Sequence, residues 1–341
     1  MHNLKEHGVQ IVVSCLLFMG FLYVIFLNPG FRSIPMFRGQ GCSYLSKTSS
    51  EREHVDLLGG VLAETAMENR TLIIAMVNKA YVEGDKPMLD VFLNSFWLGE
   101  NTRDLVNHLL IVTVDRTSYE RCRFLRLHCY KLETDGVNFN GEKLYMSADF
   151  IKMMWRRTLF LGDVLRRGYN FIFTDTDVLW LRNPFERLSS DESTDIQIST
   201  DNFNGYQWSE ANPINTGFYI IRSNNKTISL FDTWYGMKDN STGQKEQDVL
   251  NHMVREGVFR KLSLRVRFLD TTYFSGFCED SRDIGAVTTV HANCCKTIRA
   301  KIADLKDVIR AWKRFRSSST FNDTSILRKL NHVACRNSWK H

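Results

Sequence analysis

The chain has no internal repeat, which excludes the solenoids and propellers whose stacked units share a fixed period. It has no pair of Cys-x2–4-Cys knuckles, so its eight cysteines do not form the ligand pattern of a structural zinc site. One apolar run, Val9 to Leu27, carries no charged residue, and no second run of that length follows it. A bundle of several membrane-crossing helices is thereby excluded. No small-x-small cleavage site follows the run either; the next residues are Asn28-Pro29-Gly30-Phe31. A cleaved signal peptide does not fit that ending.

What is present has a clear order. Nineteen residues in a helix span about 28 Å, roughly the thickness of a bilayer core. Residues 9–27 therefore read as one N-terminal transmembrane signal-anchor, with 1–8 as a cytoplasmic tail. Positive charge ahead of it is weak, Lys5 being offset by Glu6, and orientation follows the Lys/Arg bias. The short leader puts the large C-terminal part in the lumen. Residues 28–66 are expected to be a stem, 67–320 one catalytic domain and 321–341 a basic tail. Four sequons begin at Asn69, Asn225, Asn240 and Asn322, which agrees with a lumenal location. Cys15 lies in the span, leaving seven cysteines; one or two disulfides are expected, with the odd cysteine a free thiol or in an intermolecular bond. Net charge is +6, but Lys296 to His341 holds twelve Lys/Arg and three Asp/Glu, so this end carries +9 and the rest −3. Such an end suits lipid headgroups, acidic polysaccharide or nucleic acid, but is more often a solvated helix face. No nucleic-acid partner is expected.

Strand and helix patterns alternate along the folded part. Thr71 to Val77 reads as a buried strand ending at Asn78-Lys79, and Lys86-Pro87 opens a helix through Leu98. Leu109 to Val114 is a second strand, ending at Asp115, and a short helix covers Ser118 to about Leu127. Ser147 to Arg167 is the longest helical pattern. It runs through Gly168 into a strand from Tyr169. Asp195 to Thr200 alternates like a strand with one wet face; Asn215-Thr216-Gly217 reads as a turn into a strand at Phe218. Helices follow at Thr227–Met237 and Glu246–Glu256, and short strands at Val266–Leu269 and Val287–Val290, the last ending at His291. Ile298 to Phe315 is a basic amphipathic helix. The alternation argues an α/β fold, a Rossmann-like sheet flanked by helices.

One stretch carries the chemistry. Residues 169–185 read Tyr-Asn-Phe-Ile-Phe-Thr-Asp-Thr-Asp-Val-Leu-Trp-Leu-Arg-Asn-Pro-Phe. An aromatic and β-branched run ends in Asp175 and Asp177, spaced i and i+2. Alternating strand side chains aim both carboxylates one way. Ligands of open α/β sheets sit at the carboxyl ends of strands. Two like charges held together repel unless a cation lies between them or one is protonated. A hard divalent ion with a phosphate, Mg²⁺ or Mn²⁺, suits that arrangement.

Several runs together resemble nucleotide-sugar glycosyltransferases of the GT-A fold, and more narrowly plant glycosyltransferase family 77. They are Leu-Ile-Ile-Ala-Met-Val-Asn-Lys-Ala-Tyr (72–81), Phe-Ile-Lys-Met-Met-Trp-Arg-Arg (150–157), the 169–185 stretch, Gln-Asp-Val-Leu-Asn (247–251), Arg-Phe-Leu-Asp-Thr-Thr-Tyr-Phe-Ser-Gly-Phe-Cys (267–278) and His-Ala-Asn-Cys-Cys (291–295). The resemblance covers roughly 70–315. It implies a mixed sheet, Asp175 and Asp177 on Mn²⁺ (or Mg²⁺), His291 as third metal ligand, and a UDP-sugar donor. It also implies that Asn215, Thr216 and Gly217 touch the donor sugar, and that Gln247 and Asp248 act near the anomeric carbon, with Glu246 beside them. Lys296 would meet phosphate; Asn78 and Asp115, at the first two strand ends, would hold base and ribose. Lys152 and Arg156 would reach the donor or stay at the surface, and Trp155, Trp180 and Phe173 belong to the core.

The reaction so implied retains anomeric configuration and passes sugar to a cell-wall polysaccharide or glycoprotein in the Golgi apparatus, from a single-pass type II membrane position. Two rivals remain. A phosphatase of the haloacid-dehalogenase type shares Asp-x-Asp-x-Val, but there the pair lies on the first strand, and no later Asp-Asp pair closes a metal site here. A membrane-anchored glycan-binding relative without turnover is the other.

Overall fold

The computed structural model describes residues 56–134, 137–139, 141–317 and 326–340. The expected tail, anchor and most of the stem lie outside the described residues. So do Cys15, Cys42 and Asn322. Among the described residues no helix is long and apolar enough to cross a membrane.

The elements, in chain order, are α1 (Leu57–Thr65), β1 (Thr71–Val77), α2 (Lys79–Val82), α3 (Met88–Leu98), β2 (Leu109–Thr113), α4 (Arg116–Phe124), β3 (His128–Lys131), α5 (Ala148–Arg166), β4 (Asn170–Thr174) and β5 (Val178–Trp180). There follow β6 (Ile196–Thr200), β7 (Ile214–Ile221), α6 (Asn225–Gly236), α7 (Glu246–Arg255), α8 (Val258–Lys261), β8 (Val266–Phe268), β9 (Phe274–Gly276), β10 (Thr289–His291), α9 (Ile298–Ser317), α10 (Ile326–Lys329) and α11 (Val333–Asn337).

Seven strands form the main sheet in the order β3-β2-β1-β4-β7-β6-β8, and β5-β10-β9 form a small second sheet. β3, β2, β1 and β4 run parallel, while β7 is antiparallel to both β4 and β6. This is the α/β, Rossmann-like mixed sheet flanked by helices expected of a GT-A fold. The run 169–174 forms β4 because its aromatic and branched side chains are buried against neighbours on both faces, Phe171 and Phe173 toward Tyr219, Ile172 toward the opposite layer. α5 starts where Ser147 accepts a hydrogen bond from the Phe150 N–H at 3.2 Å and stops at Gly168, whose φ of +76° is the left-handed cap that glycine takes without strain.

At three points the structure differs from the sequence-based expectation. β6 has no wet face: all five of its residues are buried, because it lies inside the sheet between β7 and β8. Asn215-Thr216-Gly217 is strand, not turn: after a register shift between Ile198 and Ser199, Ser199 pairs with Asn215 and extends β7 back to Ile214. Among the described residues three disulfides are present, Cys122–Cys129, Cys278–Cys294 and Cys295–Cys335, where one or two are expected.

Packing also reaches past the expected domain edges. Leu58 and Leu62 of α1 are in the main core, upstream of residue 67. The C-terminal end is fastened by Cys335, by the Asp304 carboxylate, which accepts from the Ala334 and Cys335 N–H groups at the start of α11, and by His332 against Asp280. Trp339 donates its indole N–H to the Cys294 carbonyl at 2.9 Å. The sequon residues Asn69, Asn225 and Asn240 are exposed.

Candidate metal and donor site

The two sheets meet at the end of β4, and backbone bonds fix the meeting point. The Asp175 N–H donates to the Gly217 carbonyl of β7 at 2.7 Å. The chain then enters β5, which pairs antiparallel with β10 so that Val178 faces His291. The Ala292 N–H donates to the Asp177 carbonyl at 3.0 Å. Residues more than a hundred positions apart in sequence are thus aimed at one point. One ligand atom from each of Asp175, Asp177 and His291 lies within 4.8 Å of the others. His291 Nε2 is 3.3 Å from Asp177 Oδ1 and 3.9 Å from Asp175 Oδ2.

The remaining carboxylate oxygens are held by two cations. Arg157 Nη1 donates to Asp175 Oδ1 at 2.9 Å, and Lys301 Nζ donates to Asp177 Oδ2 at 2.6 Å. Arg157 Nη2 reaches Glu246 Oε1 at 2.6 Å and Thr216 Oγ1 at 3.3 Å, with the guanidinium over the Phe173 ring. Each aspartate therefore keeps one oxygen fixed by a cation and turns the other toward His291. The electrostatics split the pair. Burial raises the Asp175 carboxyl above its ordinary range, and neighbouring Asp177 adds to this while Arg157 opposes it. Burial would raise Asp177 as well, but the Lys301 ammonium and His291 outweigh it and hold the group below the usual carboxylate range. Tyr81, in the same cavity, is pushed up to about 12, chiefly by desolvation.

Gly217 explains why no side chain fills this point. A Cβ there would lie 2.3 Å from His291 Cε1 and 2.9 Å from both Asp175 Oδ2 and Asn215 Oδ1. Gly217→Ala is expected to displace the His291 ring and lower activity by roughly a hundredfold, the cost of misplacing a site by about 1 Å. Steady-state kinetics beside a thermal melt checks this; an active Gly217→Ala with an unchanged melt would show that the close packing does not matter. The donor set of two carboxylate oxygens and an imidazole nitrogen, with the carboxylates facing each other, fits Mn²⁺ or Mg²⁺.

The cavity brings together most of the residues read from the sequence. Asp175, Asp177, His291, Asn78, Asn215, Thr216, Gly217, Gln247 and Lys296 line it. Asn215 donates to Asp201 Oδ1 at 2.8 Å and accepts from the Gly217 N–H at 2.8 Å. Gln247 Oε1 accepts from the Thr216 N–H at 3.0 Å. Asn78 reaches the wall with its amide committed, donating to the carbonyls of Phe139 and Gly141 at 2.9 Å and accepting from the Ala80 N–H at 3.1 Å.

Four of the residues read from the sequence lie elsewhere. Asp115 caps α4 through the Ser118 N–H at 2.8 Å and holds the Lys79 N–H at 2.6 Å, away from the cavity lining. Lys152 is exposed, and Arg156 donates to the Glu133 carbonyl. Asp248 sits half-exposed beside Lys245, one position past the cavity-lining Gln247. Arg157, Lys301 and Asp201 are additions that the sequence reading did not contain. The first two had a signal. Arg157 lies four residues from both Met153 and Leu161, and Lys301 four from Leu305 and seven from Val308, so each is a charge on an apolar stripe.

The profile of the nucleotide-diphospho-sugar transferase family matches residues 104–305. The chain is 52% identical over 338 residues to the uncharacterized protein At1g28695 of Arabidopsis thaliana, covering 97% of this chain and 95% of that one. Over 99 residues it is 33% identical to the UDP-galactose:fucoside alpha-3-galactosyltransferase of Dictyostelium discoideum, 29% of this chain and 15% of that one. Over 182 residues it is 26% identical to the Beta-arabinofuranosyltransferase RAY1 of Arabidopsis thaliana, 51% of this chain and 31% of that one. Fold, carboxylate cluster and relatives define a nucleotide-sugar-dependent glycosyltransferase. The chain belongs to the nucleotide-diphospho-sugar transferase family, consistent with plant glycosyltransferase family 77.

Proposed function

We propose that this chain is a metal-dependent, retaining glycosyltransferase. It moves a sugar from a UDP-sugar to a cell-wall polysaccharide or glycoprotein acceptor, in the Golgi lumen behind the 9–27 anchor. The observation that carries this reading is the Asp175–Asp177–His291 cluster at the floor of a cavity lined by Lys296, Lys301 and Gln247. Those three ligands would hold Mn²⁺ or Mg²⁺, which when bound neutralises charge on the departing nucleoside diphosphate.

The chain's own groups do the rest. Lys296 supplies positive charge at the cavity wall, where a diphosphate is recognised as an anion. The Asn215 and Gln247 carboxamides sit where a sugar's hydroxyls can both donate and accept. Given the retention implied by the family resemblance, same-face departure rather than a double displacement is supported by how the cavity's carboxylates are used. Asp175 and Asp177 belong to the cluster, Glu246 is bound to Arg157, Asp201 accepts from Asn215 and Asn293, and Glu142 accepts from the Ile298 N–H. None of these is presented as a nucleophile for a covalent sugar intermediate. The Dictyostelium relative is named for UDP-galactose and the Arabidopsis one for arabinofuranosyl transfer, so both sugars belong in the test.

Isothermal titration of the full-length chain with UDP-galactose, UDP-arabinose, UDP-xylose and UDP-glucose, with and without Mn²⁺, tests the reading. One donor is expected to bind only with the metal. If a folded chain bound none of them under either condition, the transferase assignment would fall and the glycan-binding reading would replace it.

A further inference from the structure

A second concavity lies beside the first and is unlike it. It is formed by the loop after β6, residues 201–213, and by the segment around β8 and β9. Tyr206 is 74% and Trp208 45% exposed, large apolar side chains that bury little in the fold. The loop that presents them is firmly built. The Asp201 N–H closes it on the Pro213 carbonyl at 3.1 Å, and buried Asn212 donates to the Tyr206 and Ser209 carbonyls at 2.9 Å. The Phe268 N–H of β8 donates to the Gln207 carbonyl at 2.7 Å, and Arg267 Nε holds the Gln207 side chain at 2.9 Å. The loop thus presents two aromatic rings to solvent, Tyr206 open and Trp208 half-exposed with the Arg265 guanidinium 4.8 Å from its ring centroid, a pair suited to a contact outside the chain. The groove measures about 880 Å³, toward the upper range of ligand clefts, and its rim carries Glu186, Arg187, Arg267 and Asp270.

We propose that this groove is an acceptor subsite that takes a carbohydrate chain; the proposal rests on the transferase reading above. Sugar rings have an apolar C–H face and a rim of hydroxyls that donate and accept. Tyr206 and Trp208 supply flat surface for the first, and the mixed carboxylates and guanidinium groups supply partners for the second. A proline-rich peptide would also lie on aromatic faces. Its prolines lack N–H donors, so the second oxygens of Glu186 and Asp270, whose first ones accept from the Asn101 amide and the Thr272 N–H, would gain nothing from it, whereas a sugar's hydroxyls can donate to them. The groove and the catalytic cavity are lined by neighbouring stretches of the same loop. Asp201 lines the cavity and Phe203, two residues on, lines the groove. The same junction is pinned on its other side, where the Phe203 N–H donates to Glu279 Oε2 at 2.7 Å, next to the cavity residue Cys278. A chain lying in the groove with one end at Phe203 would have that end near the Asp201 side of the cavity.

The test compares the full-length chain with Tyr206→Ala/Trp208→Ala, using fluorophore-labelled oligosaccharides released from pectin and from arabinan, and a labelled hydroxyproline-rich peptide. Anisotropy reads binding without turnover, and UDP-sugar titration runs alongside. The double variant is expected to bind oligosaccharide at least about tenfold more weakly, with UDP-sugar binding unchanged and partial rescue by Tyr206→Phe/Trp208→Phe. Equal oligosaccharide binding by wild type and variant, no binding by wild type, or Trp208-dependent binding of the peptide instead would each overturn the subsite. Loss of UDP-sugar binding in the wild type, with oligosaccharide binding still dependent on Trp208, would sink the transferase reading and leave the groove as a glycan site.

Discussion

Asp177→Ala is expected to lower sugar transfer by about a thousandfold or more, the scale seen when a group that stabilises developing charge is removed from a dry site. Both carboxylate oxygens of Asp177 are used, one toward His291 and one on Lys301. The substitution removes a ligand and strands an ammonium whose pKa is held up by that carboxylate against the lowering effect of burial. Two companion variants separate these losses. Asp177→Asn keeps an oxygen for Lys301 but removes the charge, so activity falls as far while the fold is disturbed less. Lys301→Met keeps the ligand and frees its second oxygen, so metal binding survives in a reoriented site. Rates measured across Mn²⁺ concentrations, with thermal melts for all three, decide the matter. Asp177→Ala retaining activity within tenfold of wild type would remove the cluster from the mechanism.

Arg157→Leu is expected to destabilise the fold by about 3–5 kcal/mol, because it leaves buried carboxylates without their counter-charge. Glu246 is nearly inaccessible, its side chain 2% exposed, and its ion pair in the described structure is with Arg157. Asp175 loses its partner at the same time. The isosteric apolar pair Arg157→Leu/Glu246→Leu is expected to recover a large part of that loss, since removing both ends of a buried pair costs less than removing one. Denaturant titration of the two singles and the double gives the coupling directly. Additive effects would mean that the two side chains do not depend on each other. Arg157 does more than pair charge: by fixing Asp175 Oδ1 it decides which way Asp175 Oδ2 faces, so even the recovered double variant should bind metal poorly.

Both substitutions concern a site that was only half legible in the sequence. Asp175 and Asp177 could be read because an apolar run of strand length ended on them, and alternation gave their common direction. His291 could be placed at a strand end, but its approach to the aspartates depends on β5 and β10. Those are three-residue strands, too short to show any alternation. β3 and β9 were missed for the same reason. Arg157 was passed over for its neighbour Arg156, since two consecutive arginines look alike until the helix phase is followed from Met153 to Leu161. The basic end of the chain reads as a solvated helix face, and Arg299, Arg310, Lys313, Arg314 and Arg316 of α9 are exposed. Lys301 is the exception, turned inward along the Leu305–Val308–Trp312 stripe. Asn215-Thr216-Gly217 was read as a turn because Asn and Gly favour turns. The sheet overrode that preference, and Gly217 was kept for the space beside His291 rather than for a bend. Asp115 and Asn78 sit at the strand ends where they were expected, but their side chains are spent on helix starts and a neighbouring loop.

The loop at 201–213 closes on itself and is tied down by its own asparagines and serines and by β8, while the proposed metal ligands come from the β4–β5 junction and β10. Apart from Asp201, which lines the cavity and accepts from Asn215, the two can therefore diverge separately over evolutionary time. Paralogues with altered Tyr206 or Trp208 would inherit the same donor chemistry and direct it to different glycans, so specificity can drift in this lineage without a gap in catalysis.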